Sequence, residues 1–417
     1  LTYPDSVQFL YALGNELKSA QFGLERMARL AGALHHPHLR PHRFIHVAGT
    51  NGKGSTCAMI ESGLRAAGLR TGLFTSPHLV EPTERIRIDG VPVSTQEFTR
   101  AFDVVHEAAE RLIDAGVIDL HPSYFETVLA MGLLLFREKK VDVTVLEVGL
   151  GGRLDATNIV EPELSVITPV DFDHERFLGN TIESIAAEKA GIVKAGIPVV
   201  MAPQRPAAEQ IIRARADKWI PSWSALEVRA YREGSRIAAQ GMLLECPLRG
   251  RHQIVNALTA ATALHAFHIP QEAIERGIAS ARWPGRLDRI RARPEVIVDG
   301  AHNPAGARAL AEYVAEFYPD PRPLLIFGVM RDKSVEEMAA ALFPHFAQVI
   351  VTAPAQQRAL APDTFLGMVD HPSLIAAPDL TEAMALAGKT DAPVFISGSL
   401  FLVGEAMSLF AAGAPAS

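Results

Sequence analysis

The stretch that most constrains how this chain can fold is a strand, a glycine-rich turn and a helix in immediate succession. Phe44-Ile-His-Val-Ala48 is apolar, Gly49-Thr-Asn-Gly-Lys-Gly-Ser-Thr56 follows, and Ser55 to Ala67 reads as a helix with Gly68 placed to cap its end. The turn also has a chemical use. Backbone N–H groups and the positive end of the helix dipole face an anion there, and Lys53 adds a full charge. The spacing departs from the usual phosphate loop, because only Thr50 and Asn51 lie between Gly49 and Gly52. Gly54 takes the place of the expected hydroxyl, which arrives at Ser55 and Thr56 instead. A tight turn with an incidental lysine is the plainer reading, and the strand-turn-helix context weighs against it.

The same rhythm recurs along the chain. Candidate strands are Phe44–Ala48, Thr71–Phe74, Asp142–Val148, Leu164–Thr168 and Ile197–Met201. After Pro294 come Glu295–Asp299, Leu324–Phe327, Gln348–Thr352, Ser373–Ala376 and Val394–Ser397. Alternation of this kind predicts an α/β chain: an N-terminal domain of phosphate-loop type with a mainly parallel sheet, and a smaller, Rossmann-like, doubly wound C-terminal domain. A length of 417 residues agrees with two domains. The Arg/Pro-rich passage from Trp283 to Pro294 places the hinge near 290, giving domains 1–290 and 291–417. Residues 205–250 yield the weakest assignment.

Composition narrows the partners. With 48% apolar residues and a net charge of −7, the chain has no basic excess for nucleic acid. Its longest apolar run, Val128 to Phe136, is far too short for a bilayer span, and no signal region opens the chain. The expectation is a cytoplasmic protein acting as a monomer on small molecules. Cys57 and Cys246 suit buried thiols rather than a disulfide or zinc site. The chain begins with Leu1 rather than Met, which leaves the completeness of the N-terminus open.

Four further segments fall at strand ends or close behind them, where a parallel sheet presents ligands. Thr75-Ser-Pro-His78 carries a hydroxyl within reach of a metal, and Glu147 ends an apolar strand where a carboxylate needs a charged partner. Asp171-Phe-Asp-His174 follows another strand, and Glu188-Lys-Ala-Gly191 lies on a helix that Asn180 is placed to cap, with Glu183 three residues on. Each has a structural alternative: an ion-pair glutamate, a lysine complementing a helix dipole, a satisfied histidine. Between Glu147 and Asn158 the run resembles a dinucleotide fingerprint, but Leu154 replaces its third glycine. A loop bearing Arg153 and Asp155 remains, suited to a polar substrate. His35, His36, His38, His42 and His46 invite a metal reading, yet Pro37 and Pro41 break any helical register, favouring a solvated loop.

In order along the chain, HVAGTNGKGST, LFTSPHL, LEVGLGGRLDATN, EKAGI, WPGRLD, DGAHNP and SGSLFLVGE resemble the folylpolyglutamate synthase/dihydrofolate synthase family of the Mur ligase superfamily. That resemblance implies an ATP-dependent ligase joining L-glutamate to a folate or dihydropteroate carboxylate through an acyl phosphate. It assigns Asn51, Gly52, Lys53, Gly54, Ser55, Thr56, Asn256, Arg286 and Asp299 to ATP. Ser76, Glu147 and His174 become Mg²⁺ ligands, and Lys189 matches a lysine that carries a CO₂-derived carbamate and binds a second Mg²⁺. Lys53, Glu147, His174 and Lys189 are then the catalytic set. Ser123, Tyr124, Phe125 and Arg153 resemble the pterin-substrate region, and His302 and Ser399 the glutamate side. A monovalent-cation requirement stays open. Asp171 and Glu175 depart from the pattern by placing extra carboxylates beside a proposed metal ligand.

Two other readings compete. A Mur-type cell-wall ligase is opposed by the GKGS loop and the DGAHNP block, and a P-loop phosphotransferase would need neither Lys189 nor an amino-acid site.

Overall fold

A computed structural model of the chain describes residues 1–14, 23–39, 42–388 and 391–412. It forms two compact units. The first comprises Leu1–Leu226, Ala238–Leu244 and Val255–Ala281; the second comprises Glu227–Ile237, Glu245–Ile254 and Arg282–Ser417.

The first unit is built on strands β1 (Arg43–Ala48), β2 (Thr71–Phe74), β3 (Ile86–Ile88), β4 (Val91–Pro92), β5 (Val143–Glu147), β6 (Leu164–Ile167), β7 (Val199–Met201) and β8 (Trp219–Pro221). They lie in the order β4-β3-β2-β5-β1-β6-β7-β8. From β2 to β8 all pairs are parallel, while β3 and β4 are antiparallel additions at one edge. β5 is buried at every residue, as a parallel strand covered on both faces should be. The two-residue edge strand ends in Pro92, which has no N–H to offer another strand.

Phe44, Phe74 and Leu146 from the sheet pack with Phe98, Phe102, Val128 and Phe136 from two helices, Thr95–Asp114 and Tyr124–Glu138. The second helix includes the apolar run Val128 to Phe136 and is a core helix; no helix among the described residues is long and apolar enough to cross a membrane. One charge is buried with it. Glu126, 4% exposed, receives Arg26 at 2.7 Å and the N–H of Ser123 at 2.8 Å.

Strands β9 (Glu227–Tyr231), β10 (Gly234–Ala239) and β11 (Met242–Cys246) form a small sheet. The sheet of the second unit contains β12 (Asp288–Ala292), β13 (Glu295–Asp299), β14 (Leu324–Phe327), β15 (Gln348–Val351), β16 (Leu374–Ala376) and β17 (Val394–Ser397), ordered β12-β13-β17-β14-β15-β16. Only β12 is antiparallel. Its arginines lie within the passage that composition marks as a boundary, so that passage supplies a charged edge strand. The chain is thus α/β, with a large mainly parallel sheet and a second doubly wound one.

Two local expectations need correcting. The helix Ile182–Lys189 is capped by Thr181, whose hydroxyl accepts from the N–H of Ser184, and not by Asn180 with Glu183. The glycine-rich turn opens its helix at Lys53, two residues earlier than Ser55. Its far end behaves as Gly68 predicts: φ is +84°, the N–H of Gly68 reaches Arg65 O at 2.9 Å and that of Leu69 reaches Leu64 O at 3.2 Å.

Candidate active site

The order β2-β5-β1-β6 gathers four carboxyl-terminal strand ends. Ser76 follows β2, Glu147 ends β5, the loop from Gly49 follows β1, and Asp171 to His174 follow β6. Parallel register carries them to one edge, with Val47 opposite Glu147.

Within the loop, Gly52 has φ +83°, and a Cβ there would lie 2.2 Å from Asn256 Oδ1. Only glycine suits that backbone. The same approach brings Asn256, on the helix Arg251–Ala266, against the loop. The loop is held from its other side by the segment after β6. The N–H groups of Thr50 and Asn51 donate to Pro169 O at 3.0 and 3.3 Å. Thr50 Oγ1 donates to Asp171 O at 2.9 Å and accepts from the Asp171 N–H at 3.0 Å.

Two loop carbonyls receive lysines. Lys53 Nζ donates to Thr50 O at 3.2 Å, and Lys189 Nζ to Gly49 O at 2.8 Å. Lys189 is 5% exposed. Burial, then the neighbouring Lys53 charge, lowers its pKa to about 7. An amine held there is substantially unprotonated near neutrality. Glu147, 4% exposed, accepts from the Ser76 N–H at 3.0 Å, which joins two of the expected metal ligands directly. His174 adopts φ +53° before the short helix Glu175–Leu178, and its Nε2 lies 3.9 Å from Asp173 Oδ1. Of the departing carboxylates, Asp171 is paired with Arg205 at 2.8 Å and Glu175 is exposed.

The expected substrate residues collect beside this edge. Ser123 caps the helix Tyr124–Glu138, its Oγ accepting from the Glu126 N–H at 3.3 Å. Tyr124 stacks on Tyr11 with centroids 5.7 Å apart and has the Arg85 guanidinium 4.8 Å from its ring centre. Phe125 meets Phe74 edge-on and packs against the Gly149 backbone. Arg153 pairs with Glu188 at 2.9 Å, one residue from Lys189. Sequence reading misses Tyr11 and Arg85. Arg85 Nε donates to His78 Nδ1 at 2.9 Å, so the other ring nitrogen carries the proton toward Tyr11 OH, 3.1 Å away.

In the second unit, Asp299 at the end of β13 accepts from the N–H groups of Leu287 and Ala301, each at 2.9 Å. Arg286 packs against Gly300. His302 Nδ1 donates to Gly300 O at 2.7 Å, leaving Nε2 as its acceptor. Ser399 follows the adjacent strand β17 and accepts from the Phe401 N–H at 3.1 Å. The Gly398 N–H, donating to Ala301 O at 3.1 Å, ties the two turns together.

The histidine-rich passage is not a solvated loop throughout, and among the described residues its histidines form no cluster of metal ligands. His42 bonds Thr144 at 2.7 Å, His46 is buried in β1 against Thr157 at 2.9 Å, and Pro41 lies outside the described residues. Cys57 and Cys246 are both buried and free.

Comparison with known proteins decides what this edge belongs to. Residues 47–264 match the Mur ligase middle domain, and residues 285–400 match the Mur ligase glutamate ligase domain. The Bacillus subtilis dihydrofolate synthase/folylpolyglutamate synthase is 36% identical over 387 residues, covering 88% of this chain and 86% of that protein. The chain belongs to the folylpolyglutamate synthase/dihydrofolate synthase family. A Mycobacterium tuberculosis folylpolyglutamate synthase solved with ADP superposes with a TM-score of 0.91 at 32% identity, covering 100% of both chains. The chain also matches a Halobacterium salinarum protein named "Probable bifunctional folylpolyglutamate synthase/dihydropteroate synthase", 39% identical, with 92% of this chain covered but only 49% of that protein. Membership of the folylpolyglutamate synthase/dihydrofolate synthase family makes the chain an ATP-dependent, amide-bond-forming glutamate ligase.

Proposed function

We propose that this chain joins L-glutamate to the carboxylate of a folate or dihydropteroate, releasing ADP and phosphate. The observation that carries the reading is the meeting of Lys53 and Lys189 on the carbonyls of one glycine-rich loop, at the sheet edge that also bears the bonded pair Ser76 and Glu147.

The work divides by position. A carboxylate is a poor acyl donor, so its oxygen attacks the γ-phosphorus of ATP and ADP leaves. The glutamate amine then attacks the acyl carbon, phosphate departs with its bonding electrons, and the amine gives up a proton. Such chemistry needs placement and charge neutralisation more than a protein nucleophile. Asn51, Gly52, Lys53, Gly54, Ser55 and Thr56 hold the phosphates, and Asn256, Arg286 and Asp299 hold the remainder of ATP. Tyr124, Phe125, Ser123 and Arg153 orient the pterin substrate, with His302 and Ser399 serving glutamate. Residues 1–290 carry the phosphate loop and the pterin residues, and 291–417 carry His302 and Ser399 for the amino acid together with Asp299 for ATP.

Ser76, Glu147 and His174 would hold Mg²⁺. Their hydroxyl, carboxylate and imidazole donors, with Glu147 buried at the end of its strand, fit a small divalent ion. Mg²⁺ supplies charge neutralisation on the transferring phosphoryl group. A carbamate on Lys189 is supported by its burial and lowered pKa, since only the unprotonated amine takes up CO₂. The proposed location is cytoplasmic and the proposed state a monomer.

The test is an ADP-release assay offering dihydropteroate or a reduced folate, each with and without L-glutamate, with products identified by mass. Product heavier by one glutamyl residue, formed only with glutamate and ATP, is expected. ADP release that ignores glutamate would overturn the assignment.

A further inference from the structure

Away from the nucleotide edge, one cluster of metal-binding side chains has no part in the reaction just described. His106 and Glu110 lie one turn apart on the helix Thr95–Asp114, and His121 ends the loop that leads to Ser123. His106 Nδ1 is 3.1 Å from His121 Nε2 and 3.9 Å from Glu110 Oε1, and one ligand atom from each residue falls within 4.8 Å of the others. Ligands bonded at about 2.0–2.1 Å around a tetrahedral ion lie roughly 3.3 Å apart, so the set needs only small closure.

The two imidazoles share a hydrogen bond that an ion would replace, and their surroundings orient both rings. His121 Nδ1 donates to Pro122 O at 2.9 Å, which fixes its tautomer and aims the Nε2 lone pair into the cluster. Metal-bound histidines are oriented in this way by a backbone carbonyl. Phe9 lies against both rings, with centroids at 4.7 and 5.3 Å, and Phe102 stacks on His106 at 5.4 Å. Those rings hold the imidazoles in place without competing for the ion. Glu110 is exposed, so the outer side stays open to water as a fourth ligand.

We propose that His106, Glu110 and His121 bind a zinc-class divalent cation that pins the segment before Ser123 to the helix Thr95–Asp114. Two imidazoles and one carboxylate select such an ion over Mg²⁺ or Ca²⁺, which prefer all-oxygen shells. Binding takes the His106 tautomer protonated at Nε2, so Nδ1 can ligate. The cation would brace the start of the helix that carries Tyr124 and Phe125, from a place outside the phosphate loop.

The test uses tag-free full-length protein in excess Mg²⁺, titrated with Zn²⁺ by calorimetry and with Co²⁺ by visible absorption. One equivalent should bind, with a tetrahedral cobalt spectrum and a raised melting temperature. Glu110→Gln, a surface change, should weaken Zn²⁺ by about tenfold or more, and His121→Asn should abolish the cobalt band. Should His121→Asn fail to fold, Glu110→Gln decides alone. No binding by the unaltered protein, or binding that Glu110→Gln leaves unchanged, overturns the proposal.

Discussion

Lys189 Nζ donates to Gly49 O at 2.8 Å across 140 residues of chain, so the helix after β6 and the loop after β1 share one buried contact. The amine is thereby kept close to Lys53, whose charge adds to burial in discouraging protonation. Lys189→Ala should cut ligase turnover by at least about a hundredfold, the scale of a lost group at a metal centre, and short carboxylic acids should restore part of it. Full activity without added acid would remove the carbamate from the mechanism.

The same contact sets a pH dependence. Lys189 has a folded pKa near 7, below its ordinary value of 10.5, and the neutral amine forms the carbamate. Turnover in bicarbonate buffer should therefore rise as pH is raised through about 7. A flat profile from pH 6 to 8, measured at constant bicarbonate, would contradict this.

Gly52→Ala tests the loop. Its φ of +83° costs a side chain about 1–2 kcal/mol, and the new methyl meets Asn256. A displaced loop should lower kcat/KM for ATP by about a hundredfold, with only a modest loss of stability in urea. Unfolding of the variant at low urea would show that the glycine serves the fold instead.

Glu126 makes a different kind of claim, on stability. Glu126→Ala leaves Arg26, itself only 16% exposed, without its carboxylate and removes the bond to the Ser123 N–H. A cost of about 3–5 kcal/mol is expected in chemical denaturation. The paired change Arg26→Met with Glu126→Leu should cost much less, since no charge is left buried alone.

His46 makes acid stability measurable. Burial lowers its pKa from 6.5 to about 3, so the unfolded chain binds a proton before the folded one does. Stability from this group is complete above about pH 6.5 and falls by about 1.4 kcal/mol per unit below it. Between pH 6.5 and 4.5 the unaltered protein should lose about 2 kcal/mol more than His46→Gln. Parallel curves would refute it.

The parallel strands were readable from sequence because burial on both faces writes them as unbroken apolar runs: β5 and β13 sit within a residue or two of expectation. β9 escaped because four of its five residues are exposed, which leaves no apolar run to see. Thr181 displaced Asn180 as a cap because both residues can cap, and only the backbone path chooses. At the site, Lys53, Glu147 and Lys189 were legible from the motifs around them. Tyr11 and Arg85 were not, because what marks them is contact with Tyr124 in space. His106 and Glu110 show helical spacing in sequence, but nothing there brings in His121.

The bonds from Thr50 and Asn51 to Pro169 and Asp171 mean that the nucleotide loop borrows its shape from a stretch some 120 positions downstream. A screen for inactive variants should accordingly recover lesions at 169–171 with the same phenotype as lesions at 49–52. Geneticists mapping such alleles would find one functional locus written in two distant places.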